Sequence, residues 1–151
     1  MAAPVILNRK ALHDYAILER YVGGLMLTGP EVKSLRAGAA QLQDAFCAFR
    51  EGELYLLNMY IAPYERAGYV GQDPRRPRKV LLTRAELERL RGRLTQKGLT
   101  LIPLKLFFSE RGWAKVELGL AEGRRKYDKR QALREREERR EMERLQKRYR
   151  P

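Results

Sequence analysis

The sequence predicts a mainly β fold, in which a small antiparallel barrel carries one short and one longer helix and precedes a basic C-terminal tail. Short apolar runs separated by turn residues fill most of residues 1–122, which is typical of strands joined by hairpins. Only two stretches carry helix start and stop signals. Residues 123–151 hold thirteen Lys or Arg against six Asp or Glu. About six strands of this length cannot cover both faces of an open sheet, so we expect a partly closed barrel at residues 1–122 and a tail at residues 123–151.

The N-terminal part is predicted to contain two strand segments interrupted by glycine. Residues 8–14 form a polar, basic lead-in, and apolar segments follow at residues 15–21 and 24–28. Gly23 and Gly24 lie where the segments meet, so we expect a bend or bulge at that point.

A short helix is predicted at residues 31–38. Pro30 suits the first turn of a helix, and Glu31 lies near its positive end. Gly38 is a stop signal. The segment is long enough for one or two helical turns.

A first hairpin is predicted from two apolar runs, residues 44–50 and 53–61. Glu51 and Gly52 lie between them and form the turn. Alternation within the first run places Cys47 on the face that we expect to be buried, so it is interpreted as a small core side chain.

The longer helix follows an irregular stretch at residues 64–78 and a short apolar strand at residues 79–82. Thr83 and Glu86 form a capping box, which marks the start of a helix. Gly98 closes it. Three leucines at helical spacing predict its buried face: Leu87, Leu90 and Leu94.

A second hairpin is predicted from residues 99–108 and 113–120, joined by the turn sequence SERG. Pro103 lies inside the first of these strands and has no amide hydrogen to donate. We therefore expect that strand to lie at an edge or to contain a bulge there.

The tail, residues 123–151, is predicted to be disordered when free and helical when bound. Its six scattered apolar side chains cannot offset an ordering cost of about 1 to 2 kcal/mol per residue. It nevertheless consists largely of good helix formers, and pairs such as Glu135 with Arg139 stand at helical neighbour spacing. A helix that forms against phosphates is one interpretation, and a solvated basic tail is the other.

Charge makes nucleic acid the first expected partner. The chain has a net charge of +13 and a pI of about 10.2. Anionic membranes and acidic proteins are weaker alternatives to nucleic acid as partners of so basic a chain. Its single cysteine permits no internal disulfide and no cysteine zinc site. No apolar run approaches the roughly 20 residues of a membrane span, and no export signal is evident, so a cytoplasmic protein is expected.

Motifs for catalysis are not found. The chain has one histidine, His13, and contains no Walker loop, no GxSxG and no GxGxxG after a strand. We therefore expect no enzyme activity, no metal and no cofactor.

RNA binding has more support, because small barrels offer a strand face and loops to oligonucleotides, with aromatics stacking on bases and cations following phosphates. Packing roles for the aromatics and simple solubilising charge are the competing interpretations. The candidate stacking residues are His13, Tyr15, Tyr64, Tyr69 and Trp113. The basic positions are Arg9, Lys10, Arg75, Arg76, Arg78, Lys79, Lys105, Arg111, Lys115, Arg124, Arg125 and Lys126.

Three motifs make the chain similar to a known family. NRKALHDY at residues 8–15, EVKSLRAG at residues 31–38 and GRRKYDKR at residues 123–130 together resemble the SsrA-binding protein (SmpB) family, the partner of transfer-messenger RNA. Three further stretches resemble that family and occur in the same order along the chain: NMYIAPYE, RKVLL and GLTLIPLKLFF. The resemblance covers essentially the whole chain.

The resemblance implies an oligonucleotide-binding (OB)-like barrel that grips the tRNA-like part of transfer-messenger RNA and delivers it to stalled ribosomes for trans-translation. The tail would enter the decoding centre and the empty message channel, and the protein is expected to be a monomer that binds no membrane. With the neighbouring basic residues, the expected RNA-binding positions are Asn8, Arg9, Lys10, His13, Tyr15, Arg78, Lys79, Leu81 and Lys115. The expected decoding-site positions are Gly123, Arg124, Arg125, Lys126, Tyr127, Asp128, Lys129 and Arg130.

Two positions depart from the family pattern. Many members have an acidic residue where this chain has Val22, so no RNA contact is assigned to Val22. Many have His where Tyr127 stands, which conflicts with any mechanism that needs a protonated imidazole. The competing hypotheses are another basic translation or ribosome-assembly protein that binds ribosomal RNA, and an RNA-modifying enzyme.

Overall fold

The computed structural model describes residues 4–68, 71–123 and Arg140. Apart from Arg140, the predicted tail helix lies outside the described residues. Residues 4–123, without the two at 69–70, contain nine strands and three α-helices. In order they are β1 (Ile6–Leu7), α1 (Arg9–Asp14), β2 (Tyr15–Leu25), α2 (Gly29–Arg36), β3 (Ala40–Gln41), β4 (Phe46–Arg50), β5 (Glu53–Leu57), β6 (Tyr60–Ile61), a 3₁₀ turn (Glu65–Ala67), β7 (Arg78–Leu81), α3 (Arg84–Leu94), β8 (Leu99–Phe108) and β9 (Ala114–Gly123).

The main sheet curls into a ring of six antiparallel strands. Its order is β1-β8-β4-β5-β7-β2-β9, and β9 also pairs with β8, so the sheet returns to its second strand. Three seams of the ring are short: β4 meets β8 at the single pair Cys47 and Leu101, and β7 meets β2 and β5 at two pairs each. β3 and β6 form a separate two-stranded sheet. The predicted mainly β, partly closed antiparallel barrel is confirmed.

The barrel interior is filled by aliphatic side chains from every long strand, including Leu56, Leu101 and Leu118, which are fully buried. α3 packs against this core through Leu90, which is also fully buried. No helix in the described part of the chain is long and apolar enough to span a membrane.

The two predicted helices are confirmed with small changes of extent. Thr28 and Glu31 form a capping box at α2, as Thr83 and Glu86 do at α3. α3 ends at Leu94, and Gly98 then adopts a positive φ of 86° in the turn that leads to β8.

A third helix corrects the prediction of a polar lead-in at residues 8–14. Asn8 caps α1 by accepting a hydrogen bond from the amide of Ala11 at 3.2 Å. A helix of six residues is too short to show apolar periodicity, so only the Asn8 cap could have revealed it in the sequence.

The two strand segments predicted at residues 15–21 and 24–28 also differ from the prediction, because they form one strand. β2 runs without interruption through Gly23 and Gly24, and its register shift lies at Leu18 instead. A Cβ at Gly23 would come within 2.8 Å of the carbonyl oxygen of Leu81. Glycine is needed there because β7 approaches closely, and no bend results.

The two hairpins agree with the sequence, although β5 ends at Leu57 and residues 60–61 pair with β3. Glu51 and Gly52 both have positive φ, 52° and 80°, as a two-residue turn between twisted strands requires. The register of β8 shifts just after Pro103, where a bulge was one of the two expected outcomes.

Cys47 is buried, as predicted, and desolvation raises the pKa of its thiol far above the usual range. Because the thiolate is the reactive form, the folded protein is expected to react with Ellman's reagent at least about 100 times more slowly than a free thiol. Unfolding in guanidinium should restore the normal rate. Rapid reaction of the folded protein would show that the β4–β8 seam opens readily.

Candidate RNA interface

The outer surface of β2, β8 and β9 is divided into a covered half and an open half. α1 covers the first half: Ala11 packs with Ile102, Leu104 and Ala121 in a small second core outside the barrel. Gly119 lies under this contact, where a Cβ would come within 2.9 Å of the Leu104 side chain. The helix therefore forms a fixed ridge beside a bare sheet surface.

Asn8 holds this ridge in place. Its side-chain amide donates hydrogen bonds to the carbonyl oxygens of Pro103 at 2.9 Å and Leu42 at 3.3 Å, and only 5% of the residue is exposed. Its oxygen caps α1. The predicted RNA contact of Asn8 is not supported by this placement, because its polar atoms already have protein partners; the geometry favours a positioning role.

α1 exposes three of the predicted residues. Arg9 is exposed, and Lys10 lies 3.8 Å from the carboxylate of Asp44. The side chain of His13 is 89% exposed, and its Nδ1 lies 3.0 Å from Asp14 Oδ1. These three side chains are available to an RNA.

Tyr15 begins β2 directly after α1 and is partly buried. It pairs with Gly123, the last residue of β9. β9 therefore ends beside α1, next to the ridge.

The open half is a mixed apolar and basic surface, which we call the open sheet face. Val22 is 52% exposed and Leu81 is 48% exposed. In the sheet, Gly24 pairs with Leu81 on one side and with Lys115 on the other, so the three lie in one row. The open sheet face consists of Arg20, Val22, Gly24, Leu81, Lys105, Phe107, Lys115 and Glu117.

This surface suits a nucleic acid backbone. Exposed aliphatic side chains can contact ribose, while the flanking cations contact phosphate. Leu81 and Lys115, which belong to separate parts of the sequence, are brought together here as predicted RNA-binding residues.

Lys79 lies on the next strand and is partly neutralised. Its ammonium group lies 2.9 Å from Glu53, whose carboxylate also accepts a hydrogen bond from the Tyr55 hydroxyl at 3.0 Å. The hydrogen bond between Lys79 and Glu53 lowers the pKa of Glu53 and raises the pKa of Lys79. Lys79 is thus a weaker candidate for phosphate than Lys115.

The position of Arg78 does not support its predicted RNA contact, because the residue is fully buried. Its guanidinium donates to Glu31 at 2.7 Å, to the carbonyl of Met59 at 2.6 Å and to that of Pro74 at 3.1 Å. Burial lowers the pKa of Arg78, and the Glu31 carboxylate opposes that shift. The residue fastens the loop before β7 to α2.

The other aromatic candidates do not join the open sheet face as a group. Tyr64 lies under Lys33, whose ammonium is 5.4 Å from the ring centroid. Trp113 is 69% exposed in the turn before β9. Tyr69 lies outside the described residues, as do all the predicted decoding-site positions after Gly123.

Two residues of this surface were missed by sequence reasoning. Arg20 donates to Glu117 at 2.6 Å, although 97 residues separate them. Strand alternation could have placed Glu117 on the same face as Lys115, but its pairing with Arg20 depends on the register between β2 and β9.

Comparison with known proteins gives one consistent result. The family model described as "SmpB protein" matches residues 5–148. An "SsrA-binding protein" of Thermus thermophilus is 56% identical over 143 residues, which cover 95% of this chain and 99% of the relative. Another, of Salinispora arenicola, is 56% identical over 135 residues, which cover 89% and 84%. A solved structure described as "tmRNA-SmpB: a journey to the center of the bacterial ribosome" is 60% identical with a TM-score of 0.68, and the match covers 80% of this chain and 85% of that one.

Proposed function

Since the chain belongs to the SmpB family, we propose that it binds the tRNA-like domain of transfer-messenger RNA and delivers that RNA to stalled ribosomes for trans-translation. The observation that carries the proposal is the 56% identity with an SsrA-binding protein over 95% of this chain. The contiguous basic and apolar surface beside α1 supports it independently.

The barrel grips the folded RNA with two adjoining surfaces. On the ridge, Arg9 and Lys10 meet phosphates and the exposed ring of His13 stacks on a base. On the open sheet face, Lys115 meets phosphate while Leu81 packs against ribose. Recognition of this kind reads the shape of an RNA helix and its neighbouring loop more than a long sequence.

The tail performs a separate step at the ribosome. Residues 123–130 contact the decoding centre, and the remaining tail becomes helical in the empty message channel. Its excess of arginine and lysine suits ribosomal RNA phosphates. The protein acts in this scheme as a cytoplasmic, monomeric adaptor and not as an enzyme, and it needs no cofactor.

Binding of a tRNA-like-domain transcript tests the proposal at Lys115. Lys115→Gln is expected to weaken binding by about threefold to tenfold and to reduce the slope of log affinity against log salt by about 1, because one phosphate contact is lost. Filter binding at several salt concentrations measures both quantities.

Lys97→Gln is the matched control. Lys97 is exposed in the turn after α3, so the same charge is removed away from the proposed interface. Equal losses in the two variants would indicate binding by overall charge alone. Tighter binding of a small-subunit ribosomal RNA fragment than of the tRNA-like transcript would favour the ribosomal alternative.

A further inference from the structure

We infer that Glu117 is a positioning residue of the open sheet face, holding Arg20 and Lys105 in place for two phosphates of the bound RNA. The inference rests on the proposed function and adds to it a role for three residues that the resemblance does not assign. An acidic side chain in the middle of an RNA-binding surface otherwise opposes binding.

Residues from three strands form this group, and one carboxylate lies at its centre. Glu117 on β9 accepts a hydrogen bond from Arg20 on β2 at 2.6 Å, and its other oxygen lies 3.7 Å from the ammonium of Lys105 on β8. The Glu117 side chain is only 16% exposed. Each carboxylate oxygen therefore serves one cation, and both cations are drawn toward the same point.

Both cations keep their binding capacity. Arg20 uses one guanidinium nitrogen on Glu117, forms no other hydrogen bond among the residues that the structure describes, and is 58% exposed. Lys105 is 41% exposed, and its ammonium also lies 5.2 Å from the ring centroid of Phe107. A guanidinium has five donors in a fixed fork, so the remaining donors can still hold a phosphate. The three residues together retain one net positive charge.

This group of three residues adjoins the predicted RNA contacts. Glu117 pairs with Val22 in the sheet, and Lys115 pairs with Gly24, so the two rows are neighbours on one face. Side chains two residues apart along a strand lie about 7 Å apart. Arg20 and Lys105 thus extend the cationic surface of Lys115 toward α1.

The two cations of this group are 58% and 41% exposed, so solvent screens their ion pairs with Glu117 and limits what those pairs contribute to folding. Long side chains lose conformational freedom when they bind a ligand, and a partner that restrains them beforehand reduces that loss. Restraint of Arg20 and Lys105 is what Glu117 provides.

The variant Glu117→Gln distinguishes loss of restraint from loss of charge, because these two effects change the RNA affinity in opposite directions. Removing a negative charge should by itself strengthen RNA binding, whereas losing the restraint should weaken it by about threefold to tenfold. We expect the weaker binding, measured with the full-length protein and a tRNA-like-domain transcript. Glu88→Gln removes the same charge from α3 and should bind as tightly as the wild type or slightly more tightly.

A double-mutant cycle shows whether Glu117 acts through its two cations. In a protein that already carries Arg20→Gln and Lys105→Gln, Glu117→Gln should cause no further loss. Glu117→Asp keeps the charge but shortens the side chain, so its affinity should fall between the wild type and Glu117→Gln. Thermal unfolding without RNA checks that each variant is folded. If Glu117→Gln does not fold, Glu117→Asp takes its place in these measurements.

The outcomes separate the two proposals. Unchanged or tighter binding by Glu117→Gln, equal binding by Glu117→Asp and the wild type, or an additive loss in the double-mutant cycle would each overturn the role of Glu117 alone. Failure of the wild-type protein to bind the transcript would overturn the proposed function together with this inference.

Discussion

Removal of residues 124–151 is expected to leave binding of the tRNA-like domain within about tenfold of the full-length protein at moderate salt while abolishing the tagging of stalled chains. The physical reason is the position of the cut. β9 ends at Gly123, so the truncated chain keeps every strand of the barrel, the ridge of α1 and the open sheet face. Only the electrostatic contribution of the tail to RNA affinity is lost.

Two measurements on the same variant test this separation. Filter binding gives the RNA affinity, and a reconstituted translation reaction on a message without a stop codon gives the tagging yield. A control protein with residues 124–151 in scrambled order keeps the composition and charge of the tail; it should bind RNA normally and fail to tag. Parallel loss of RNA binding and tagging on truncation, or full tagging by the scrambled tail, would contradict the separate roles.

Glu31→Ala is expected to destabilise the barrel by about 3 to 5 kcal/mol, because it removes the carboxylate that compensates a buried charge. Arg78 is fully buried against Glu31 at 2.7 Å, and Arg76 also donates to this carboxylate. Without Glu31, the Arg78 guanidinium keeps only carbonyl partners. Denaturant unfolding measures the loss, and Glu88→Ala, which breaks an exposed pair, should change the unfolding free energy by less than about 1 kcal/mol.

The pH dependence of this effect provides a second test. Burial by itself would raise the pKa of Glu31, but hydrogen bonds from Arg76, the Thr28 amide and Arg78 lower it below its ordinary value. A carboxyl with a depressed folded pKa stabilises the protein above its unfolded pKa of about 4.3 and loses that contribution as the pH falls through the folded pKa. The difference between wild type and Glu31→Ala should therefore shrink in acid. A constant difference from pH 7 to pH 3 would indicate that packing, and not the ion pair, is lost.

Local signals account for the elements that sequence reasoning predicted well. The capping box at Thr83 and Glu86, the turn at Glu51 and Gly52, and the proline at position 103 each act within a few residues. Such features have the same physical meaning in a short peptide as in the barrel. The tail was recognised in the same way, because its charge and composition are properties of the chain itself.

Three features could not be predicted from local signals. They are the docking of α1 against Ile102 and Ala121, the burial of Arg78, and the hydrogen bond between Arg20 and Glu117. Each depends on strand register across the closed ring, and a shift of one residue would turn the side chains to the opposite face. The amino-acid sequence alone thus determined the fold class, the basic character and the family resemblance. Barrel closure decided which cations are exposed on the open sheet face and which are buried, because it brings together residues that are distant in the chain.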